Sequence, residues 1–557
     1  MKTVAVFGAG IAGLSAAHEF VRLGYTVSVY EVNRDAGGFF RSARMLGDDG
    51  MPSEYSWHGF GPWYHNTFDV MAQIPFDESG SVYDKGLTRP IDFGLAPDKG
   101  TAQFNDGPVI PVSKMFRMSG VDSLLWSWLL LKTWAANRRT FEHYAQLNAA
   151  EQWKPILSEL GWKTWRACFG PWVGSDWTNV SLHQVGQFFR KQLISRPSHH
   201  HAADAEGPAW QHGAGNGWLL LRGPSNECWI DRWVEHLKRS GVTFHWQQAL
   251  YRLDFNGREI TTAHLESGAH VLADIYVMAT NPFAAADVLR RTPQLAEMDQ
   301  LCLFVPLTKD GPHTQVSFRI AFSERIGWPR KRAAVIIADS EFNLTLCASE
   351  HVWANDVNLG VGVKSLWTGT ACVGKVAGRL YGLSVIECTK EQFIEEVLAQ
   401  LFNCEGLDLL IKEENDGRGL RTFPILRVEV WHEWLFSSEG IQTHQPKWVT
   451  TTTTQPYQPT QTTPIPNLVL AGAHTKTAAD VWSIEGAVES GRLAAQVIEP
   501  SVKVIPQYKP LWLRAISTAD DVCFSLGIAH VLDLFLVGFL MTIAILLAIF
   551  LGRYGTY

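Results

Sequence analysis

Apolar and polar positions near the start of the chain follow the spacings of alternating strands and helices. TVAVFG (residues 3–8) is a short apolar run, IAGLSAAHEFVRLG (11–24) repeats its apolar residues at helical spacing, and TVSVYE (26–31) alternates. This order predicts a strand, a helix and a second strand, which together form a βαβ unit. A second strand, turn and helix are predicted far along the chain, in LVLAGAHTKTAADVWSIEGAVESG (468–491).

The middle of the chain has a different pattern. Residues 113–192 look helical and include Leu- and Trp-rich stretches such as SLLWSWLLLKTWAANRRTFEHY. Further on, VSFRIAF (316–322) and AAVIIADS (333–340) predict strands, and KEQFIEEVLAQLF (390–402) predicts an amphipathic helix. A Thr-, Gln- and Pro-rich stretch then leads into residue 468 and predicts a loop.

The C-terminal end is apolar on every face. From Leu534 to Leu551, LFLVGFLMTIAILLAIFL holds 18 residues without a charge. At about 1.5 Å per residue, such a helix nearly spans a hydrocarbon core about 30 Å thick. We therefore predict a transmembrane helix within 531–552. Two cations precede this run (Lys509 and Arg514) and one follows it (Arg553), which favours a cytosolic main body.

Composition narrows the function classes. Of the 557 residues, 48 are Lys or Arg and 55 are Asp or Glu, and the resulting net charge of −7 argues against a nucleic-acid partner. The eight cysteines form no CxxC pair and no Cys/His spacing typical of zinc, so we predict no metal site. Scattered cysteines in a long chain also fit a reducing compartment.

The strongest chemical motif is Gly8-Ala9-Gly10-Ile11-Ala12-Gly13, which follows one predicted strand and opens a helix. The first glycine permits a tight turn, the second lets the backbone approach a pyrophosphate, and the third lets the helix pack on the strand. The helix N-terminus then faces the phosphate charge. Glu31 ends the second strand, where an acid can bind the ribose hydroxyls. The motif therefore predicts a dinucleotide site.

A second glycine pair follows that acid, in Gly37-Gly38-Phe39-Phe40-Arg41. A nicotinamide-binding domain has no need of it, whereas an extended flavin dinucleotide needs more backbone passing close by. Arg41 at the end of this loop can bind pyrophosphate oxygens. In residues 468–491, the predicted strand ends at Gly472, where the backbone can lie close to the cofactor. The helix around Glu485 points its positive N-terminal end at an electron-rich group.

Together these motifs resemble those of the flavin amine oxidase and phytoene desaturase superfamily, a two-domain fold that binds FAD. The resemblance covers both ends of the chain well and the middle loosely. It implies roles in binding FAD for the three motif glycines and several further residues: Gly8, Gly10, Ile11, Ala12 and Gly13 at the pyrophosphate, Glu31 at the adenosine ribose, Gly38 and Arg41 along the FAD path, Leu250 at the adenine, and Gly472 and Glu485 beside the ribityl and flavin regions.

One position departs from the family's pattern. An acid usually follows the glycine of the late strand, but here Ala473 follows Gly472. The side-chain contact of that acid is therefore absent, and Thr475 or water is expected to replace it. In SEYSWHGFGPWYHN (53–66), His58 and Tyr64-His65-Asn66 match the desaturase segment of the superfamily, which places the chain closer to the desaturases.

The resemblance implies an α/β fold with a discontinuous Rossmann-like FAD-binding domain, an inserted α+β substrate domain and the C-terminal transmembrane helix. The expected segments are 1–85, 216–290 and 446–500 for the FAD domain, 86–215 for a helical cap, 291–445 for the mixed α/β substrate domain, 501–530 for a connector and 531–552 for the anchor. Four residues are substrate-pocket candidates near the flavin: His58, Trp63, Tyr64 and Trp482. No catalytic base is assigned, because the flavin itself carries out the difficult chemistry.

Four functions agree with these motifs. The first is an FAD-dependent oxidoreductase that desaturates a hydrophobic lipid or isoprenoid at a membrane, with membrane lipid as a partner. The second is a membrane-anchored amine oxidase, although no cysteine for covalent flavin attachment lies between Cys404 and Cys523. The third is a flavin-dependent double-bond isomerase, and the fourth a flavoprotein without turnover. The sequence leaves open the substrate, the electron acceptor, the membrane and the oligomeric state.

Overall fold

The structure is a computed structural model. It describes residues 1–537, 541–543 and 546, apart from 89–91, 105–116, 174–175, 195–217, 330–331, 333 and 439. Two large sheets, each with helices on it, and a separate group of helices account for most of the described chain.

The first sheet is parallel and draws its strands from both ends and the middle of the chain. In spatial order its strands are Leu468–Leu470, Ile275–Met278, Thr3–Phe7, Thr26–Glu31 and Thr243–Trp246. Their carboxyl ends meet at one edge, which is where open α/β sheets bind ligands. The α/β fold predicted from the sequence is confirmed, because the two distant strand–turn–helix units share this one sheet.

Two helices from opposite ends of the chain pack against each other beside this sheet, Ile11–Arg22 and Ile484–Ile498. Their backbones approach so closely that a Cβ on Gly491 would lie 2.3 Å from the carbonyl oxygen of Ala12. The close packing of these two helices therefore requires a glycine at position 491, the last residue of GAVESG.

The second sheet has seven strands and lies in the region expected for substrate binding. In spatial order they are Ile425–Val430, Val316–Phe322, Ser365–Ala371, Leu344–Ala348, Ala334–Ile337, Phe93–Ala96 and Gln103–Phe104. The predicted strand at 316–322 and the predicted helix at 390–402 are both present, and the helix packs its apolar side on this sheet. Glu405–Glu414 lies beside that helix.

Helices dominate residues 120–194, as the sequence predicted. They are Gly120–Trp134, Arg138–Glu142, Ala149–Trp153, Glu159–Val173 and Leu182–Ile194. Further helices among the described residues are His65–Met71, Val82–Gly86, Asp231–Arg239, Pro282–Arg290, Pro293–Ala296, Phe304–Leu307 and Leu511–Ser525, and residues 531–537 are also helical. The smaller strands are Ser42–Arg44, Pro52–Glu54, Pro75–Asp77, Gly80–Ser81, Leu250–Phe255, Ile260–Leu265, His270–Val271, Leu435–Ser437 and Gly440–Gln442.

Half of the predicted transmembrane helix, 531–552, falls outside the described residues. Within the part of the chain that the structure describes, no helix has the length and apolar character needed to cross a bilayer. Of the run 534–551, residues 538–540, 544–545 and 547–551 are not described.

Candidate cofactor and substrate site

A cavity of about 530 Å³ opens at the carboxyl edge of the first sheet. Its walls come from residues 7–12 and 30–40, the 55–64 segment, residues 248–250, the 279–291 segment and residues 472–487. This volume lies within the range of small-molecule and cofactor sites. The cavity therefore gathers most of the motif residues that the sequence singled out.

One end of the cavity is built around Glu31. Its Oε2 accepts a hydrogen bond from the backbone N–H of Ala9 at 2.6 Å, and its Oε1 accepts one from that of Asn33 at 3.0 Å. These bonds fix the carboxylate at the end of its strand. Leu250 lines the same end from the opposite wall, next to Gln248. The resemblance places an adenosine at this end, which stays a prediction.

The first helix points its N-terminus into the middle of the cavity. Gly10, Ile11 and Ala12 line the wall, and the helix begins with neither a side-chain cap nor an acid in its first turn. Its first backbone N–H groups are therefore suited to an anion. Gly8 has φ +109°, and a Cβ there would lie 2.6 Å from the Ala279 carbonyl oxygen, so only glycine fits this turn.

Gly13 does not line the cavity. A Cβ at Gly13 would lie 1.9 Å from the carbonyl oxygen of Gly8. Its role in this structure is to let the helix pack onto the end of the strand, which is the packing part of the motif. Gly38 does line the cavity, and it lies opposite Gly10.

Arg41 has a different partner from the one expected. Its guanidinium forms an ion pair with Glu433 and lies 5.8 Å from the ring centroid of Trp431, and Arg41 is not part of the cavity wall. A carboxylate of the substrate region thus binds the guanidinium, and the role of Arg41 along the FAD path stays a prediction.

The late strand and helix form a further part of the wall, beside the first helix. Gly472, Ala473, Trp482, Ser483 and Ile484 all line the cavity, so the helix Ile484–Ile498 begins at the wall. Thr475 does not replace the missing acid there. Its hydroxyl instead bonds the Gly472 carbonyl at 2.8 Å and the Ser490 hydroxyl at 2.7 Å.

Glu485 is turned away from the cavity. The carboxylate is fully buried and accepts hydrogen bonds from Asn66 and Thr67: Oε1 accepts from the Asn66 backbone N–H and Nδ2, both at 2.9 Å, and Oε2 from the Thr67 backbone N–H at 2.9 Å and hydroxyl at 2.8 Å. Burial raises its pKa, while these bonds act in the opposite direction. Glu485 therefore links the helix Ile484–Ile498 to the segment at Asn66 and Thr67, and its place beside the flavin stays a prediction.

The other end of the cavity is aromatic. All four pocket candidates named from the sequence line this end: His58, Trp63, Tyr64 and Trp482. Four other aromatic residues complete the wall: Trp57, Phe93, Phe188 and Trp218. Burial lowers the pKa of His58 to about 3, so its imidazole is neutral near neutral pH. Burial also raises the pKa of Tyr64, which keeps the phenol protonated.

Three polar residues on this wall carry no sequence signal of their own: Gln315, Cys372 and Lys447. The Lys447 ammonium donates to Gln315 Oε1, and its Nζ lies 4.5 Å from the ring centroid of Trp482. Gln315 Nε2 in turn lies 3.5 Å from Cys372 Sγ. Burial lowers the pKa of Lys447 to about 7, so this group changes charge near neutral pH.

Replacing Lys447 by Met is expected to stabilise the protein, and more strongly at low pH. The ordinary lysine pKa is 10.5 against about 7 in the fold, so the folded protein must bury a charge below pH 7. Between these values the unfolded chain binds more protons, hence wild-type stability rises with pH and the advantage of Met shrinks. After the lost bond to Gln315 is subtracted, we expect a gain on the order of 2 kcal/mol near pH 6.

Thermal unfolding midpoints of wild type and Lys447→Met, compared near pH 6 and near pH 9.5, test this expectation. Lys476 is exposed, and Lys476→Met is the matched control. A midpoint difference that is equal at both pH values would show that Lys447 titrates normally.

The wall chemistry fits an extended flavin dinucleotide. A Cβ on Gly10 would meet only Gly38 Cα, at 3.9 Å, so the wall is open beside the free helix N-terminus. Four buried polar atoms of the wall have no hydrogen-bond partner within the described protein: Tyr55 Oη, His58 Nδ1, Trp63 Nε1 and Thr280 Oγ1. Buried polar groups are normally satisfied, so these atoms point to a bound polar molecule.

Comparison with known proteins agrees with this fit. The family model for flavin containing amine oxidoreductases matches residues 11–499. No curated protein matches the chain significantly.

Solved structures share the fold at low sequence identity. A putrescine oxidase bound to putrescine has a TM-score of 0.59 at 14% identity, covering 89% of this chain and 98% of its own. An oxidoreductase from Methanosarcina mazei has a TM-score of 0.56 at 13% identity, covering 90% of this chain and 100% of its own. A protein assigned as a protoporphyrinogen oxidase from Exiguobacterium sp. 255-15 has a TM-score of 0.52 at 13% identity, covering 90% and 99%.

Proposed function

Because the chain belongs to the family of flavin-containing amine oxidoreductases, we propose that it desaturates a hydrophobic lipid or isoprenoid substrate at a membrane. It is an FAD-dependent oxidoreductase, as the sequence predicted. Bound FAD supplies the electron acceptor, and the protein has to bind the substrate, orient it and exclude water.

The aromatic end of the cavity carries the substrate proposal. Its rings offer a large apolar surface, and its histidine is neutral at physiological pH. The carboxylates among the described wall residues are Glu31, Glu266 and Asp287, and they belong to the opposite, nucleotide end together with Leu250 and Arg291. A dicationic amine therefore finds no fixed negative charge at the aromatic end, whereas an uncharged chain finds matching surface.

Lys447 adds to this preference. When it is protonated, its ammonium on the same wall repels a cationic substrate. Aromatic rings do attract cations, so amine oxidation remains the second candidate, favoured by the fold shared with the putrescine oxidase.

The membrane part of the proposal is supported by the uncharged run of 18 residues from Leu534 to Leu551. A substrate dissolved in a bilayer explains why an enzyme would carry such a segment. The two cations before the run against one after it favour a cytosolic main body.

Anaerobic reduction of the bound flavin tests the substrate class. The full-length holoprotein in phospholipid vesicles is mixed in parallel with a polyprenyl hydrocarbon, an unsaturated fatty acid, a primary alkylamine and putrescine. We expect the visible flavin band to bleach with the hydrocarbon or the fatty acid, and mass spectrometry to find a product two hydrogens lighter. Bleaching by the amines alone would overturn the proposal in favour of amine oxidation.

A product of unchanged mass with a shifted double bond, formed without bleaching, would instead identify an isomerase. Protein that has been photoreduced before mixing separates the two cases further, since a desaturase is inactive in that state and an isomerase that uses reduced flavin is active.

A further inference from the structure

Two helices of this protein expose apolar residues and bury polar ones. On Leu511–Ser525, the exposed residues include Leu511 (81% exposed), Trp512 (51%) and Val522 (58%), whereas Ser517 and Asp520 are buried. Leu511, Ala515, Val522 and Leu526 recur at helical spacing, so they form one stripe. Leu513 is buried on the same helix, but an exposed stripe of this kind is unusual for a helix between a protein core and water.

The polar side of this helix is fastened to the protein. Asp520 receives the Arg139 guanidinium, with Nε 2.9 Å from Oδ2, and Asp521 accepts from the Asn137 side-chain amide at 3.0 Å. Ser517 accepts from the Lys509 ammonium at 2.8 Å. The orientation of the helix is therefore fixed, and its apolar stripe cannot turn inward.

Gly120–Trp134 repeats the same arrangement. Val121 is 67% exposed and Leu124 is 69% exposed, while Asp122 is buried and accepts from the Ser158 backbone N–H at 2.6 Å. Trp128 lies on the same side as Val121 and Leu124, seven and four residues further along the helix. The helix therefore presents a second exposed apolar stripe.

The C-terminal segment contacts both helices. The Val531 backbone N–H donates to Asp520 Oδ1 at 3.1 Å. Asp533 accepts from Trp128 Nε1 at 3.3 Å and from the Lys132 ammonium at 2.8 Å. From there the chain continues into Leu534 (44% exposed) and Phe535 (67%), the start of the uncharged run. The predicted anchor thus leaves the protein directly beside both apolar stripes.

We propose that these two helices form a lipid-contacting face, on which the main body rests against the bilayer that holds the C-terminal run. The face consists of the half-buried Trp128 and the exposed apolar residues Val121, Leu124, Leu511, Trp512, Ala515, Val522 and Leu526. Exposed apolar surface of this kind marks an interaction site, and the uncharged run that starts beside it points to a bilayer as the partner. Trp512 and Arg514 are residue types typical of the interfacial layer.

This inference rests on the proposed membrane association, and it has a separate test. The full-length protein is reconstituted into phosphatidylcholine and phosphatidylglycerol vesicles that contain a phospholipid with a diazirine in its acyl chain. After illumination, peptide mass spectrometry maps the lipid adducts. We expect adducts on 120–134 and 511–526 in addition to the C-terminal run.

Two charged substitutions sharpen the test. In the double variant Leu124→Glu and Val522→Glu, we expect adducts on both helices to fall by about tenfold while those on the C-terminal run persist. Both positions are exposed, so the flavin content stays at the wild-type level. Leu272→Glu is the matched control, since Leu272 is 74% exposed on a distant hairpin and has no expected effect on the adducts.

The outcomes are distinguishable. Adducts confined to 534–551 would overturn the lipid-contacting face and support only the C-terminal membrane anchor. The absence of adducts from the whole chain would overturn both. Absence of lipid adducts from these two helices, together with a dimer in native mass spectrometry that the double variant abolishes, would show that the face is a dimer interface.

Discussion

Gly10→Val is expected to give a folded protein that has lost its FAD. Gly10 has φ −71° and ψ 176°, an extended conformation that any residue adopts, and a Cβ there would meet only Gly38 Cα, at 3.9 Å. The added methyl groups therefore enter the cavity in front of the first helix, where a pyrophosphate needs the space. Overlap with the cofactor costs about 3 kcal/mol or more, which corresponds to a loss of affinity of about a hundredfold.

The ratio of visible flavin absorbance to protein measures this loss, and far-ultraviolet circular dichroism reports on the fold. The thermal midpoint should fall to that of wild type stripped of flavin, because bound ligand stabilises the folded state. Gly47→Val is the control, since a Cβ at Gly47 has no neighbour within 4 Å. A Gly10→Val protein that keeps its full flavin content would place the cofactor away from this helix.

Gly13→Val provides the opposite case in the same motif. Its Cβ would lie 1.9 Å from the Gly8 carbonyl oxygen, so the substitution disrupts the packing of helix on strand even when no cofactor is bound. We expect this variant to be poorly folded, whereas Gly10→Val is folded and colourless. The two glycines of one motif thus separate cofactor binding from packing.

Glu485→Ala is expected to destabilise the protein by about 3–5 kcal/mol, with or without flavin. The substitution leaves four donors of Asn66 and Thr67 without their acceptor in a fully buried site. It also breaks the link between the helix Ile484–Ile498 and the segment that carries Trp63 and Tyr64. Weaker flavin binding should follow from the loosened wall.

Thermal and urea unfolding of flavin-free protein isolate the structural part of this effect. Glu159→Ala is the control, because Glu159 also lies in the first turn of a helix and its side chain is 83% exposed. Glu485→Gln keeps the shape and one acceptor oxygen, so an intermediate loss is expected. If flavin-free Glu485→Ala unfolds at the wild-type midpoint, the carboxylate acts on the cofactor and not on the fold.

The sequence by itself determined the nucleotide half of the site. Three features have fixed local spacings that follow from strand and helix geometry: the motif from Gly8 to Gly13, the acid at Glu31 and the late strand before Gly472. Local patterns of this kind were enough to predict the α/β fold and the FAD-dependent oxidoreductase. They also brought His58, Trp63, Tyr64 and Trp482 into consideration as pocket residues.

Tertiary structure decided what each side chain contacts. Glu485 meets Asn66 across 419 positions of sequence, and Arg41 meets Glu433 across 392, so no local period predicts either pair. Lys447 follows a polar loop-like stretch and gains its lowered pKa only when the fold removes it from water. The exposed stripes on Gly120–Trp134 and Leu511–Ser525 likewise depend on which helix face the rest of the chain covers. Periodicity identifies an amphipathic helix, but only packing decides which of its faces remains exposed.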